Sequence, residues 1–194
     1  MITIETTVYK FDELSDAAKQ KALNAWRDLG GFDDEYVIDY CKEAAKMFGL
    51  DIDKIYYSGF SSQGDGACFE GRYKYKAGAL AAVKKEWPKW TALHGIVERL
   101  EAVQKRNFYR LTAVIKHRGH YYHSGCMLID VEDSENQYRD LKDAEDSVID
   151  ELRDFADLIY AMLSDEYDYT QSDAYVTENI QGNGVEFTVD GGLA

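Results

Sequence analysis

Ile52-Asp53-Lys54-Ile55-Tyr56-Tyr57-Ser58-Gly59-Phe60, then Ser61-Ser62-Gln63-Gly64-Asp65-Gly66, then Ala67-Cys68-Phe69-Glu70-Gly71-Arg72-Tyr73-Lys74-Tyr75 decides the fold class. Two runs rich in β-branched and aromatic residues flank a short stretch of small and polar ones. That is the pattern of a β-hairpin whose loop uses glycine to reach positive φ. In the second strand Ala67, Phe69, Gly71, Tyr73 and Tyr75 share one face, and Cys68, Glu70, Arg72 and Lys74 share the other.

Downstream, Tyr109–Lys116 and His120–Val131 read as a second hairpin, with Arg118-Gly119 as a two-residue turn. Pairing His117 with His120 puts Leu111, Ala113, Ile115, Tyr122, Cys126 and Leu128 on one face, and Met127 and Ile129 on the other. Between the hairpins, Ala77 to Arg106 is helical in composition and interrupted by Pro88, which cannot donate a backbone hydrogen bond. A short helix to about Glu86 and a longer one starting at Pro88 are expected.

Upstream, Thr3–Phe11 alternates as a strand. Ser15 caps a helix that Gly30-Gly31 stops, and a second helix runs from about Asp33 or Asp34 to Gly49. Toward the C-terminus, Gln137–Ser164 is the clearest helix, with Leu141, Val148, Leu152, Phe155, Ile159 and Met162 at steps of three, four and seven. A helix from Ser172 to about Ile180 and a strand around Val185–Val189 close the chain. Two hairpins without regular strand–helix alternation predict the α+β class: an antiparallel or mixed sheet built from two hairpins plus terminal strands, with helices packed on it.

The 194 residues suit a single domain over 1–194. Met1–Glu5 has no basic segment followed by an apolar one, so no secretory signal is expected, and no run approaches the roughly 20 apolar residues of a membrane span. Three scattered cysteines fit a reducing, cytoplasmic setting. The net charge is −14. Residues 1–129 hold 19 Lys/Arg and 17 Asp/Glu, whereas residues 130–194 hold 3 and 19. The acidic third disfavours phosphates as its partner, so tight duplex DNA binding is not expected. It favours a basic partner, a metal or plain solubility.

Several groups are candidates for chemistry. Asp143, Asp146, Asp150, Asp154 and Asp157 form a stripe opposite the apolar face of the Gln137–Ser164 helix. Helical rise spaces them by roughly 4.5–6 Å along the axis, comparable to phosphates along a DNA strand. Such a stripe is a candidate partner-binding surface for a host protein with a basic nucleic-acid-binding face, and equally the solvated side of any amphipathic acidic helix. Ser61, Ser62, Gln63 and Asp65 of the Gly59–Phe69 loop, with Arg72 and Lys74, are the candidate ligand-binding set: amides and hydroxyls that cradle an anion beside two cations. The loop lacks the Walker and dinucleotide fingerprints. Arg72, Lys74, Lys76, Lys84, Lys85 and Lys89 interleave with Tyr73, Tyr75, Trp87 and Trp90, a composition that suits a nucleotide or single strand, equally an acidic protein patch, or internal balance of the acidic third. His117, His120 and His123 cluster, but strand parity sets His123 apart, so no metal site is assigned. No nucleophile elbow exists, and Cys41, Cys68 and Cys126 have no activating sequence neighbour. No catalytic residue and no cofactor follow from these residues.

Tyr57–Phe69, Tyr9-Lys10-Phe11-Asp12-Glu13-Leu14-Ser15 with its alanine-rich helix, Ser172-Asp173-Ala174, and Val185–Gly191 together resemble small acidic bacteriophage and prophage proteins. The resemblance implies a phage context and an anti-defence role, as in anti-restriction and anti-CRISPR inhibitors or proteins that sequester a nucleotide signal. It transfers no catalytic residue. The resulting expectation is a phage-encoded, non-enzymatic inhibitor in the host bacterial cytoplasm. The alternative is a nucleotide or small-ligand binder using the Gly59–Phe69 loop.

Overall fold

The computed structural model describes residues 7–135 and 140–194. Thr3–Thr6 of the expected first strand and the expected helix start at Gln137 lie outside the described residues. The chain falls into two compact units: Asp34–Ser164, and Met1–Asp33 with Asp165–Ala194. The α+β expectation holds, with two antiparallel sheets and six α-helices among the described residues. The terminal strands form a sheet of their own instead of extending the hairpin sheet.

In the smaller unit, β1 (Tyr9–Lys10) pairs with β6 (Glu186–Phe187). Helix α1 (Asp16–Leu29) starts at Ser15, whose hydroxyl accepts from the Ala18 amide. Helix α6 (Asp173–Gly182) starts the same way at Ser172. Both caps satisfy amides that a first helical turn leaves open. Phe11, Leu14, Ala18, Ala22, Leu23, Val176, Ile180 and Phe187 form this unit's core. Gly191 passes so close to the Ala18 carbonyl that a Cβ there would sit 2.1 Å from it.

The larger unit contains α2 (Glu35–Met47), β2 (Leu50–Tyr57), β3 (Ala67–Lys74), α3 (Ala79–Glu86), α4 (Thr91–Arg106), β4 (Leu111–His117) and β5 (Met127–Asp133). It also holds α5 (Lys142–Gln171) as far as Ser164; the remaining turns of α5 belong to the smaller unit. The sheet order is β2-β3-β4-β5, antiparallel throughout. Burial alternates along β4 and β5, so one face carries the core and the other meets solvent. Phe155 of α5 packs edge-on against Phe48 and Phe69. Buried Gln104 of α4 uses its amide as a splint: Nε2 donates to the Leu111 carbonyl and Oε1 accepts the Leu111 amide, fixing the start of β4.

The second hairpin departs from expectation. His117 pairs with Met127, not His120, and a long connection replaces the Arg118-Gly119 turn. Met127, Ile129 and Val131 therefore face the core, while Leu128 is 51% exposed and Val114, opposite Asp130, is 42% exposed. Cys126 leaves the strand for a short 3-10 turn, Ser124–Cys126. A one-residue slip reverses every side chain of a strand, and the run Met127-Leu128-Ile129 offers apolar residues of both parities. Pro88 also moves: it lies between α3 and α4, before the first turn of the longer helix.

Candidate functional surfaces

Helix α5 buries Val148, Leu152, Phe155, Ala156, Ile159 and Leu163. At about 100° per residue, Asp143, Asp146, Asp150, Asp154 and Asp157 fall within an arc of roughly 80° and span ~21 Å of axis. All five are exposed. Among the described residues only Asp154 of the five has a cation within ion-pair distance: Arg99 Nη2 at 3.0 Å. Arg99 also binds Glu151, which is buried on the flank of the same helix. Glu151 Oε2 has no hydrogen-bond partner among the described residues. Burial pushes the Glu151 carboxyl above the usual range, and the Arg99 hydrogen bond opposes that shift. Arg99 was not singled out from the sequence; its position in the α4 pattern carries no signal for a partner on α5.

The Gly59–Phe69 loop is folded around its own carboxylate. Asp65 Oδ2 accepts from the Ser61 and Ser62 amides at 3.0 and 2.7 Å, and the Asp65 amide donates to the Ser62 carbonyl. The amides that looked able to cradle an anion already serve one. Gly64 has φ +97° in open space. Gly66 is a close-approach site, where a Cβ would lie 2.6 Å from His123 Cβ. Tyr160 of α5 donates to the Gly59 carbonyl and stacks on Phe60. Ser61, Ser62, Gln63 and Asp65 sit before β3, whereas Arg72 and Lys74 sit at its far end, ~20 Å away at strand rise. The candidate ligand set is thus divided.

Arg72 and Lys74 instead border a cavity of about 420 Å³ together with Lys46, Lys76, Asp51 and Tyr75. Tyr73 lines it too, but the interleaved residues further along the chain part company with them. Lys84 pairs with Glu98, and Trp87, Lys89 and Trp90 line a different groove with Tyr40 and Glu86. Tyr40 stacks on Trp90 at 5.3 Å.

The histidine segment forms a small hydrogen-bonded knot. His117 packs against both Tyr56 and Tyr122, which stack on each other, and its amide donates to Glu70, which also accepts from the Tyr56 hydroxyl. His123 Nε2 lies 3.3 Å from Cys126 Sγ, a contact invisible in the sequence. His123 Nδ1 accepts from the Gly125 amide, so in the neutral ring the proton sits on Nε2. That nitrogen then donates to sulfur and has no lone pair with which to take the thiol proton, which removes the general-base geometry of a cysteine nucleophile. Burial pushes the Cys41 and Cys68 thiols up to about 12, keeping both protonated at neutral pH. No group of three His, Cys, Asp or Glu side chains among the described residues is placed to hold a metal.

The fold and these surfaces define an α+β protein with an antiparallel meander, one acidic helix face and one basic strand end. The chain belongs to the family described as a domain of unknown function, DUF8835, matched over residues 34–173. The match begins at the first residue of the larger unit and takes in both the α5 aspartates and the basic cavity. Comparison with curated proteins and with solved structures found no match.

Proposed function

We propose that this chain is a phage-encoded, non-enzymatic binding protein of the bacterial cytoplasm. It inhibits a host defence or nucleic-acid-handling protein by presenting the Asp143–Asp157 face of α5 to a basic surface that otherwise receives DNA. The observation that carries this reading is the exposure of all five aspartates on one narrow arc, four of them without an ion-pair partner among the described residues. Their ~21 Å of axis matches the length of a short stretch of DNA backbone. The phage and anti-defence elements rest on the resemblance of the quoted segments. The same negative charge opposes tight duplex DNA binding by the chain itself. No helix of the described residues is long and apolar enough to cross a membrane.

The test is capture from a bacterial lysate with the immobilised full chain, followed by elution with duplex DNA or with salt. The expected result is a nucleic-acid-handling protein released by both, because DNA competes for its basic surface and ionic strength screens the contact. A retained protein indifferent to both would overturn the reading.

A further inference from the structure

We propose that the cavity bordered by Lys46, Arg72, Lys74 and Lys76, beside the Tyr75–Tyr109 ring pair, binds a nucleoside polyphosphate, the cations holding the phosphates and the rings the base. This site is separate from the acidic face of α5 and does not depend on that face's role.

The fold assembles the cations from two elements. Arg72 and Lys74 alternate along β3 and share its exposed face, and Lys76 follows just past the strand end, where the chain turns toward α3. Lys46 comes from the last turn of α2, brought there by the tight passage at Gly49. Gly49 has φ +88°, and a Cβ on it would lie 2.0 Å from the Lys74 carbonyl oxygen. The Lys74 amide donates to the Gly49 carbonyl, and the Lys76 ammonium donates to the Lys46 carbonyl at 2.9 Å. Among the described residues none of the four cations has a carboxylate within ion-pair distance. Asp51 also lines the cavity and faces Arg72 in the β2–β3 register, yet the two form no ion pair. In a chain with 36 acidic residues against 22 basic ones, such a cluster leaves a local positive potential for a polyanion.

The rings give the anion site its second half. Tyr75 lines the cavity, and Tyr109 lies against it at 4.5 Å between centroids. Tyr109 remains 44% exposed, and it and its neighbour Phe108 are held at φ of +62° and +56°. Non-glycine residues seldom adopt that conformation, and here two in succession turn the chain between α4 and β4 with both rings exposed. A volume of about 420 Å³ lies within the range of small-ligand sites. Phosphates on free cations and a flat base on a tyrosine face together describe a nucleotide.

Calorimetric titration of the full chain with ATP, inorganic tripolyphosphate and a single-stranded DNA oligonucleotide tests the assignment. ATP is expected to bind about tenfold more tightly than tripolyphosphate, the difference that base stacking supplies. Arg72→Ala with Lys74→Ala should weaken both by roughly tenfold or more. Tyr109→Leu should weaken ATP and leave tripolyphosphate unchanged. Melting temperatures confirm folding, and Lys46→Gln provides a second cation variant. Absence of ATP binding at millimolar concentration would overturn the proposal, and so would equal affinity for ATP and tripolyphosphate. Tighter binding of the oligonucleotide than of ATP would replace the small ligand with a strand.

Discussion

Glu151 shows how a buried charge behaves beside an exposed partner. Its side chain is 10% exposed while that of Arg99 is 52% exposed. Removing the Glu charge therefore leaves Arg99 solvated and still bound to Asp154, so the usual penalty for a widowed buried ion does not arise. The folded-state pKa of Glu151 is raised by burial. Stability from this group is thus fully present below the unfolded value of about 4.3 and is lost as pH rises through the folded value. Glu151→Gln should melt at or above the parent temperature at pH 7, and the two proteins should converge as pH falls toward about 4. A fall of several degrees at pH 7 would show the ion pair to be net stabilising. The loop glycines separate two costs. Gly66→Ala meets His123 and should lose ~1–3 kcal/mol in urea unfolding. Gly64→Ala meets nothing and carries only the backbone cost of positive φ, about 1–2 kcal/mol. Parent-like unfolding of Gly66→Ala would show that this approach can yield freely. The loop was legible as a loop from its Gly and Asp content. That Asp65 would occupy its own amides was not, because the same residues suit an empty nest and a filled one.

The helices were readable because their signals are local: Ser15 and Ser172 cap where serine before an apolar repeat should cap, and Val148, Leu152, Phe155 and Ile159 recur at helical spacing along α5. Leu141, however, precedes the helix, and Leu163, not the half-buried Met162, takes the last core position. The first hairpin was equally plain, since a long glycine-rich loop separates two aromatic strands. The second was not. Arg118-Gly119 imitates a hairpin turn, while the true connection is closed by contacts distant in sequence: Gly66 against His123, and Tyr56 against His117 and Tyr122. The corrected register is open to test in one strand. Leu128→Asn, on the outer face, should change stability by no more than ~0.5 kcal/mol. Ile129→Asn puts an amide into the core and should cost about 2–5 kcal/mol. The reverse ranking would restore the pairing of His117 with His120.

Across the chain, charge is divided differently from what the linear count suggests. The smaller unit's segments hold 13 acidic and 4 basic residues, and the larger unit's hold 23 and 18. Within the larger unit the signs separate, with aspartates along α5 and free cations at the end of β3. The sequence showed the acidic third and the basic stretch, but not that Lys46 would join Arg72 and Lys74 or that the Gly59–Phe69 loop would lie far from them. Those placements depend on how strand and helix ends meet, which no window of sequence contains. The most direct test of the α5 reading leaves Asp154 in its Arg99 pair and replaces its neighbours: Asp146→Asn, Asp150→Asn and Asp157→Asn together. These side chains are exposed, so the triple variant should melt like the parent. The measurement is the plating efficiency of a restricted phage on bacteria that carry a nuclease-based defence system the parent chain blocks. The expected result is restored plating with the parent and renewed restriction with the folded triple variant. Equal plating with the two proteins would contradict the account and remove the α5 face from the mechanism.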